Sequence, residues 1–112
     1  MVDIQFLYFE ECPSHDEALR RLREVMQEEG IETSIEIIKV ETEAQAQELR
    51  FIGSPTILIS GRDIVSPTVG NHYRLACRVY TLEDGRISPL PSREMIRKAL
   101  YSVLDDVHKY NC

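Results

Sequence analysis

The first run of the chain, Asp3-Ile4-Gln5-Phe6-Leu7-Tyr8-Phe9, is aromatic and almost wholly apolar. That is the pattern of a strand covered on both faces. Glu10-Glu11-Cys12-Pro13 ends it. A helix is predicted to start at Pro13, because proline is preorganised for the first helical position and its missing N–H costs nothing there. Ala18, Leu19, Leu22, Val25 and Met26 recur at helical spacing as one inward stripe, the charged run from Arg20 to Glu29 reads as the solvated face, and Gly30 is a stop. A second strand is predicted over 34–40. Thr42-Glu43-Ala44-Gln45 reads as a capping box opening a short helix, with Ala46 and Leu49 facing inward. That helix gives way near Phe51-Ile52-Gly53. Thr56-Ile57-Leu58-Ile59 is a third strand, Gly61-Arg62 a hairpin turn, and Asp63-Ile64-Val65 a fourth strand.

Residues 66–72 are polar, contain Pro67 and Gly70, and read as a loop. Residues 75–82 alternate weakly, as an edge strand would, and Asp84-Gly85 is a turn that returns Arg86-Ile87 beside it. After Pro89 and Pro91, Ser92 caps a last helix with Met95, Ile96, Ala99, Leu100, Val103, Leu104 and Val107 on one face. The early strand–helix–strand unit needs a right-handed crossover, so strands one and two are parallel. The hairpin adds antiparallel partners. The expected fold is α/β: one domain over 1–112, a mixed four- to five-stranded sheet flanked by three helices, and an insert at about 66–88.

Composition narrows the function. With 112 residues, 43% hydrophobic and 29% charged, the chain can build one ordinary core. Its charge of -6 (13 basic against 19 acidic residues) argues against general nucleic-acid binding. No apolar run approaches a membrane span and the start lacks a leader pattern, so neither membrane insertion nor secretion is expected. Three cysteines do not make a disulfide framework, which makes the cytoplasm the expected compartment. There is no Walker loop, no Gly-x-Gly-x-x-Gly and no Gly-x-Ser-x-Gly, and no cofactor is expected.

The candidate chemistry gathers on Cys12. At a strand-to-helix junction the unsatisfied N–H groups and the dipole of the helix favour a thiolate, the reacting species. His15, one turn on, is a candidate to hydrogen-bond that thiol and tune it. Glu10, Glu11, Asp16 and Glu17 surround the motif, oppose thiolate formation and attract cations. The functional expectation requires the Cys12 sulfur to be accessible at the helix tip, beside the Pro55 segment. The bland alternative is a small buried side chain.

The element order, with Cys12 where the first strand meets the first helix and Gly53-Ser54-Pro55-Thr56 before the third strand, resembles the thioredoxin fold. More narrowly, Cys12-Pro13, Gly53-Ser54-Pro55-Thr56 and Cys77-Arg78-Val79-Tyr80 resemble small prokaryotic thioredoxin-like proteins that are often grouped by name with alkylmercury lyases. The resemblance implies a cis Ser54-Pro55 bond and a redox cysteine at Cys12. It also implies a substrate surface made by Pro13, Ser54, Pro55 and Thr56, to which Arg78 is added as a charge that offsets the local acids. The chain departs from dithiol members in carrying His15 where they have a second cysteine, so Cys12-Pro13-Ser14-His15 cannot close an internal disulfide.

Three functions follow. Cys12 acts alone in thiol exchange with glutathione or a protein, or is resolved by a distant cysteine, Cys77 before Cys112. Alternatively Cys12 and Cys77, with His15, hold a soft metal or organomercurial. Or the fold is kept without the chemistry as an interaction module, with the insert and edge strand as its surface in a homodimer. His72 and His108 read as surface residues.

Overall fold

The computed structural model describes residues 3–65 and 78–110, and over 103–110 it describes the helical backbone alone. The loop at 66–72, His72, Cys77, Cys112, and the side chains of Val103, Leu104, Val107 and His108 lie outside the described residues.

The protein is mixed α/β. Strand β1 (Ile4–Tyr8) is central. It pairs in parallel with β2 (Ile35–Lys39) and antiparallel with β3 (Thr56–Ile59), and β3 pairs antiparallel with β4 (Arg62–Asp63). Among the described residues the sheet has four strands in the order β2-β1-β3-β4. Helices α1 (His15–Glu28), α2 (Glu43–Leu49) and α3 (Arg93–Tyr110) cover it. The described part of the predicted fifth strand is not in this sheet: β5 (Tyr80–Thr81) and β6 (Ile87–Ser88) form a separate two-stranded ribbon. The turn between them is the predicted one, closed by the Gly85 N–H to the Leu82 carbonyl at 2.9 Å with Gly85 at φ +88°.

Alternation along β1 explains the layers. Ile4 and Phe6 face one side, where they pack with Ala18, Leu22, Val25 and Met26 of α1, Ile57 and Ile59 of β3, and Ile96 and Leu100 of α3. Leu7 faces the other side, with Val40, Ala46 and Phe51. Each of these side chains larger than alanine contributes roughly 1.5–3 kcal/mol when taken from water. Leu49, expected inward, is 37% exposed. In a helix of only seven residues the inward positions fall to Ala46 and to Phe51 just past its end.

The ends of the helices follow local chemistry. Gly30 at φ +69° ends α1 in a Schellman motif, with the Gly30 N–H to the Gln27 carbonyl and the Ile31 N–H to the Met26 carbonyl. Thr42 Oγ1 accepts from the Gln45 N–H at 3.0 Å, while Gln45 Oε1 reaches back to the Glu41 N–H at 2.8 Å. Ser92 Oγ accepts from the Met95 N–H at 3.1 Å at the head of α3. The fourth strand is shorter and earlier than expected, because Asp63 Oδ1 accepts from the Val65 N–H at 3.0 Å and turns the chain away.

The charged face of α1 is not simply solvated. Glu24 and Glu28 pair with Arg93, Glu28 and Glu29 pair with Arg97, and the Tyr101 hydroxyl donates to Glu29. These contacts bind α1 to α3 along their outer edges. Among the described residues no helix is long and apolar enough to cross a membrane.

Candidate thiol site

The connection from β1 to α1 positions Cys12. The Cys12 N–H turns back to the Phe9 carbonyl at 3.0 Å, and the first α-helical bond comes later, from the Ala18 N–H to the Ser14 carbonyl at 3.0 Å. Ser14 is therefore the N-cap and His15 the first helical residue, two positions after the predicted start. A residue before proline is driven out of the helical region, which keeps Cys12 in the turn. The sulfur meets a side chain of the helix entry: Cys12 Sγ lies 3.2 Å from Ser14 Oγ. It also lies 3.5 Å from the Ser54 carbonyl oxygen. Cys12 is only 1% exposed, so the accessible sulfur expected from the sequence is instead a buried one.

The Ser54-Pro55 bond is cis, as the resemblance implied. Thr56 Oγ1 donates to the Gly53 carbonyl at 2.5 Å, which closes the step into a tight turn. Ser54 is fully buried, and among the described residues its hydroxyl has no hydrogen-bond partner. Gly53 has a double reason to be glycine. Its φ is +139°, and a Cβ built there would lie 2.7 Å from Arg78 Cβ.

That close approach reveals what covers the step. The Arg78 N–H donates to the Ser54 carbonyl at 3.0 Å. The Arg78 guanidinium donates to Asp63 Oδ2 at 2.8 Å, lies 3.4 Å from Thr56 Oγ1, and stacks 4.4 Å over the Tyr80 ring. The Tyr80 hydroxyl donates to the Pro55 carbonyl at 2.5 Å. Burial pushes the Tyr80 phenol well above its ordinary pKa, outweighing the opposite pull of Arg78. The carbonyls of Gly53, Ser54 and Pro55 are thus all engaged within the chain.

His15 stacks on Tyr8 at 4.6 Å between ring centroids, and its Nδ1 is 3.3 Å from Asp16 Oδ1. Pro13 is exposed in the turn that follows Cys12. The acidic collar is largely paired. Glu10 meets Lys39 at 2.7 Å, which holds its carboxyl below the ordinary range, and Glu17 grips Arg20 at 2.5 Å. The structure brings together Cys12, Ser54, Pro55, Thr56 and Arg78. It adds Ser14, Asp63 and Tyr80, which sequence reasoning left without a role. An acid such as Asp63 next to an antiparallel turn carries no local signal of a partner fifteen positions away.

Comparison with known families matches the chain to a domain of unknown function, DUF2703, over residues 12–100. The chain belongs to this DUF2703 family. No curated protein and no solved structure gives a significant match. The DUF2703 match opens on Cys12 and takes in the Ser54-Pro55 step, Asp63, Arg78 and Tyr80, so the whole site lies inside it.

Proposed function

We propose that this DUF2703 chain is a thioredoxin-like protein that carries out thiol–disulfide exchange through Cys12. Support for the fold reading comes from the strand order β2-β1-β3-β4, its one parallel and two antiparallel pairings, and helices on both faces. The observation that carries the functional reading is the contact of Cys12 Sγ with the Ser54 carbonyl at 3.5 Å. It sets the sulfur against the residue before Pro55, the surface where an extended thiol or disulfide substrate would lie.

The exchange is a displacement. The Cys12 thiolate attacks one sulfur of a disulfide, from glutathione or a protein, and forms a mixed disulfide. The other sulfur leaves as a thiolate and takes a proton from solvent. One S–S bond forms as one breaks. With no second cysteine in the Cys12-Pro13-Ser14-His15 motif, the mixed disulfide is released by an incoming thiol. Cys77 is the other candidate for that step and lies outside the described residues, as does the Cys77 half of a soft-metal site. Ser14 Oγ, 3.2 Å from the sulfur, can donate to the thiolate.

The test is incubation of the reduced protein with oxidised glutathione, read by intact-mass and peptide mass spectrometry. Wild type and Cys112→Ser gain one glutathione on Cys12, and Cys12→Ser does not. A Cys12 thiol pKa, read from the pH dependence of alkylation after correction for opening, at or above the ordinary thiol value of about 8.5 overturns the proposal. Burial of Cys12 favours a second reading, an interaction module that retains the fold without turnover. Turnover with glutathione or a thioredoxin system decides against it.

A further inference from the structure

We infer that residues 78–80 of this chain form a strap that closes the Cys12 site from within, held by the ion pair of Arg78 with Asp63. The inference rests on the thiol-exchange reading above and names how that site is regulated.

A substrate backbone lying along the proline step beside Cys12 would use the Ser54 carbonyl, which is 3.5 Å from the sulfur, since Pro55 has no N–H to offer. The Arg78 N–H already occupies it at 3.0 Å. The Arg78 backbone and Cβ fill the space left open by Gly53. Residues 78–80 alternate as a docked strand does, with the Arg78 side chain 10% exposed, Val79 63% exposed and Tyr80 1% exposed. The chain therefore treats the step as an extended ligand would, with a main-chain hydrogen bond and alternate side chains turned in.

Besides the Arg78 N–H bond to the Ser54 carbonyl, two side-chain anchors hold the segment. The Arg78–Asp63 pair ties it to β4, and the Tyr80 hydroxyl ties it to the Pro55 carbonyl. Both belong to side chains rather than to a continuous ladder, and β5 does not join the main sheet. The segment can lift without breaking any strand pairing of β1 to β4. Its lifting would uncover the Ser54 carbonyl beside the sulfur.

The experiment is native-state alkylation of the fully reduced full-length chain with iodoacetamide, with Cys12 followed by peptide mass spectrometry across low urea. The unfolded chain and the global folding constant serve as references. The strap predicts that Cys12 is protected at least about 100-fold less than global unfolding would require, with protection nearly flat in low urea. Asp63→Asn lowers that protection about tenfold or more, since a charge-assisted bond is lost. Leu100→Ala, in the core and away from the step, lowers global stability and leaves the protection unchanged.

If Cys12 protection instead equals the global folding constant and carries its full urea slope, residues 78–80 are ordinary core and the inference fails. It fails equally if Asp63→Asn has no effect. Should Asp63→Asn not fold, the urea slope of the wild-type protein decides. The two proposals separate cleanly. Local opening with an intrinsic rate no better than an ordinary thiol keeps the strap and removes thiol exchange. An enhanced rate with no protection, unmoved by Asp63→Asn, keeps thiol exchange and removes the strap.

Discussion

Arg78 and Asp63, fifteen residues apart, meet at 2.8 Å with both side chains only 10% exposed. The pair joins the segment after the insert to the short edge strand β4, and the same guanidinium stacks on Tyr80 and touches Thr56. It links the proline step, the edge of the sheet and the ribbon in one polar cluster. A pair this enclosed is expensive to break one partner at a time, because the remaining charge is stranded.

Arg78→Met is therefore expected to destabilise the protein by about 3 kcal/mol, the lower end for a buried pair because a little solvent reaches it. Adding Asp63→Leu removes the stranded carboxylate and recovers part of that loss. Arg78→Lys does not rescue fully, since an ammonium cannot reproduce the planar stack over Tyr80. Urea unfolding of the single and double variants measures the coupling. Strict additivity of the two substitutions counts against the pair.

Tyr80 sets an alkaline limit. Its phenol is raised above the ordinary value of about 10 by burial, so the folded state keeps a proton that the unfolded chain gives up. The stabilisation is fully present below pH 10 and is lost as pH climbs from there toward the higher folded value. Unfolding free energy should fall above pH 10 in wild type and fall less steeply in Tyr80→Phe. At neutral pH Tyr80→Phe costs about 1–2 kcal/mol, because the Pro55 carbonyl loses its donor. Urea titrations at pH 7, 9 and 11 read both effects.

Much of this architecture was legible because it rests on local signals. The apolar run around Phe6 announced a strand covered on both faces, Gly30 a helix stop, Thr42 and Gln45 a helix entry, and Asp84-Gly85 a turn. What escaped was set by a competing local turn and by tertiary contacts. Pro13 looked like a first helical residue, but the Cys12 N–H found the Phe9 carbonyl and pushed the helix start on to His15. His15 was read for its place one turn after Cys12, and the stacking of its ring on Tyr8 was not. The glutamates of α1 looked solvated until Arg93 and Arg97 came across from α3. Cys12 was read at the junction of β1 and α1, yet its burial depends on long-range packing that no local pattern encodes.

Arg50 carries a removable cost. It ends α2 at φ 55° and ψ 44°, while the Phe51 N–H bonds the Ala46 carbonyl at 2.8 Å and the Arg50 N–H bonds the Gln47 carbonyl at 3.3 Å. This is the same closing motif that Gly30 makes, with a side chain where glycine is preferred. Arg50→Gly should stabilise the fold by roughly 0.5–1 kcal/mol, after allowing for the extra freedom of glycine in the unfolded chain. A rise in the urea midpoint at unchanged slope confirms it, and a fall shows that the Arg50 side chain contributes more than its backbone costs.

Ser14 supplies the sharpest check on the chemistry at the sulfur. Its hydroxyl lies 3.2 Å from Cys12 Sγ and it is the N-cap of α1, yet the hydroxyl makes no capping bond to the helix backbone. A side chain in that position would normally cap, and here it turns to the thiol instead. Ser14→Ala should therefore cost the helix little, since no cap is lost, while removing a donor to the thiolate. The expected result is an unfolding midpoint close to wild type, with Cys12 exchange at pH 7 slowed about threefold to tenfold after correction for opening. That range corresponds to one modest hydrogen bond. Ser14→Thr keeps the hydroxyl and should restore most of the rate. A variant that loses stability while keeping the full exchange rate would make Ser14 a helix residue and nothing more.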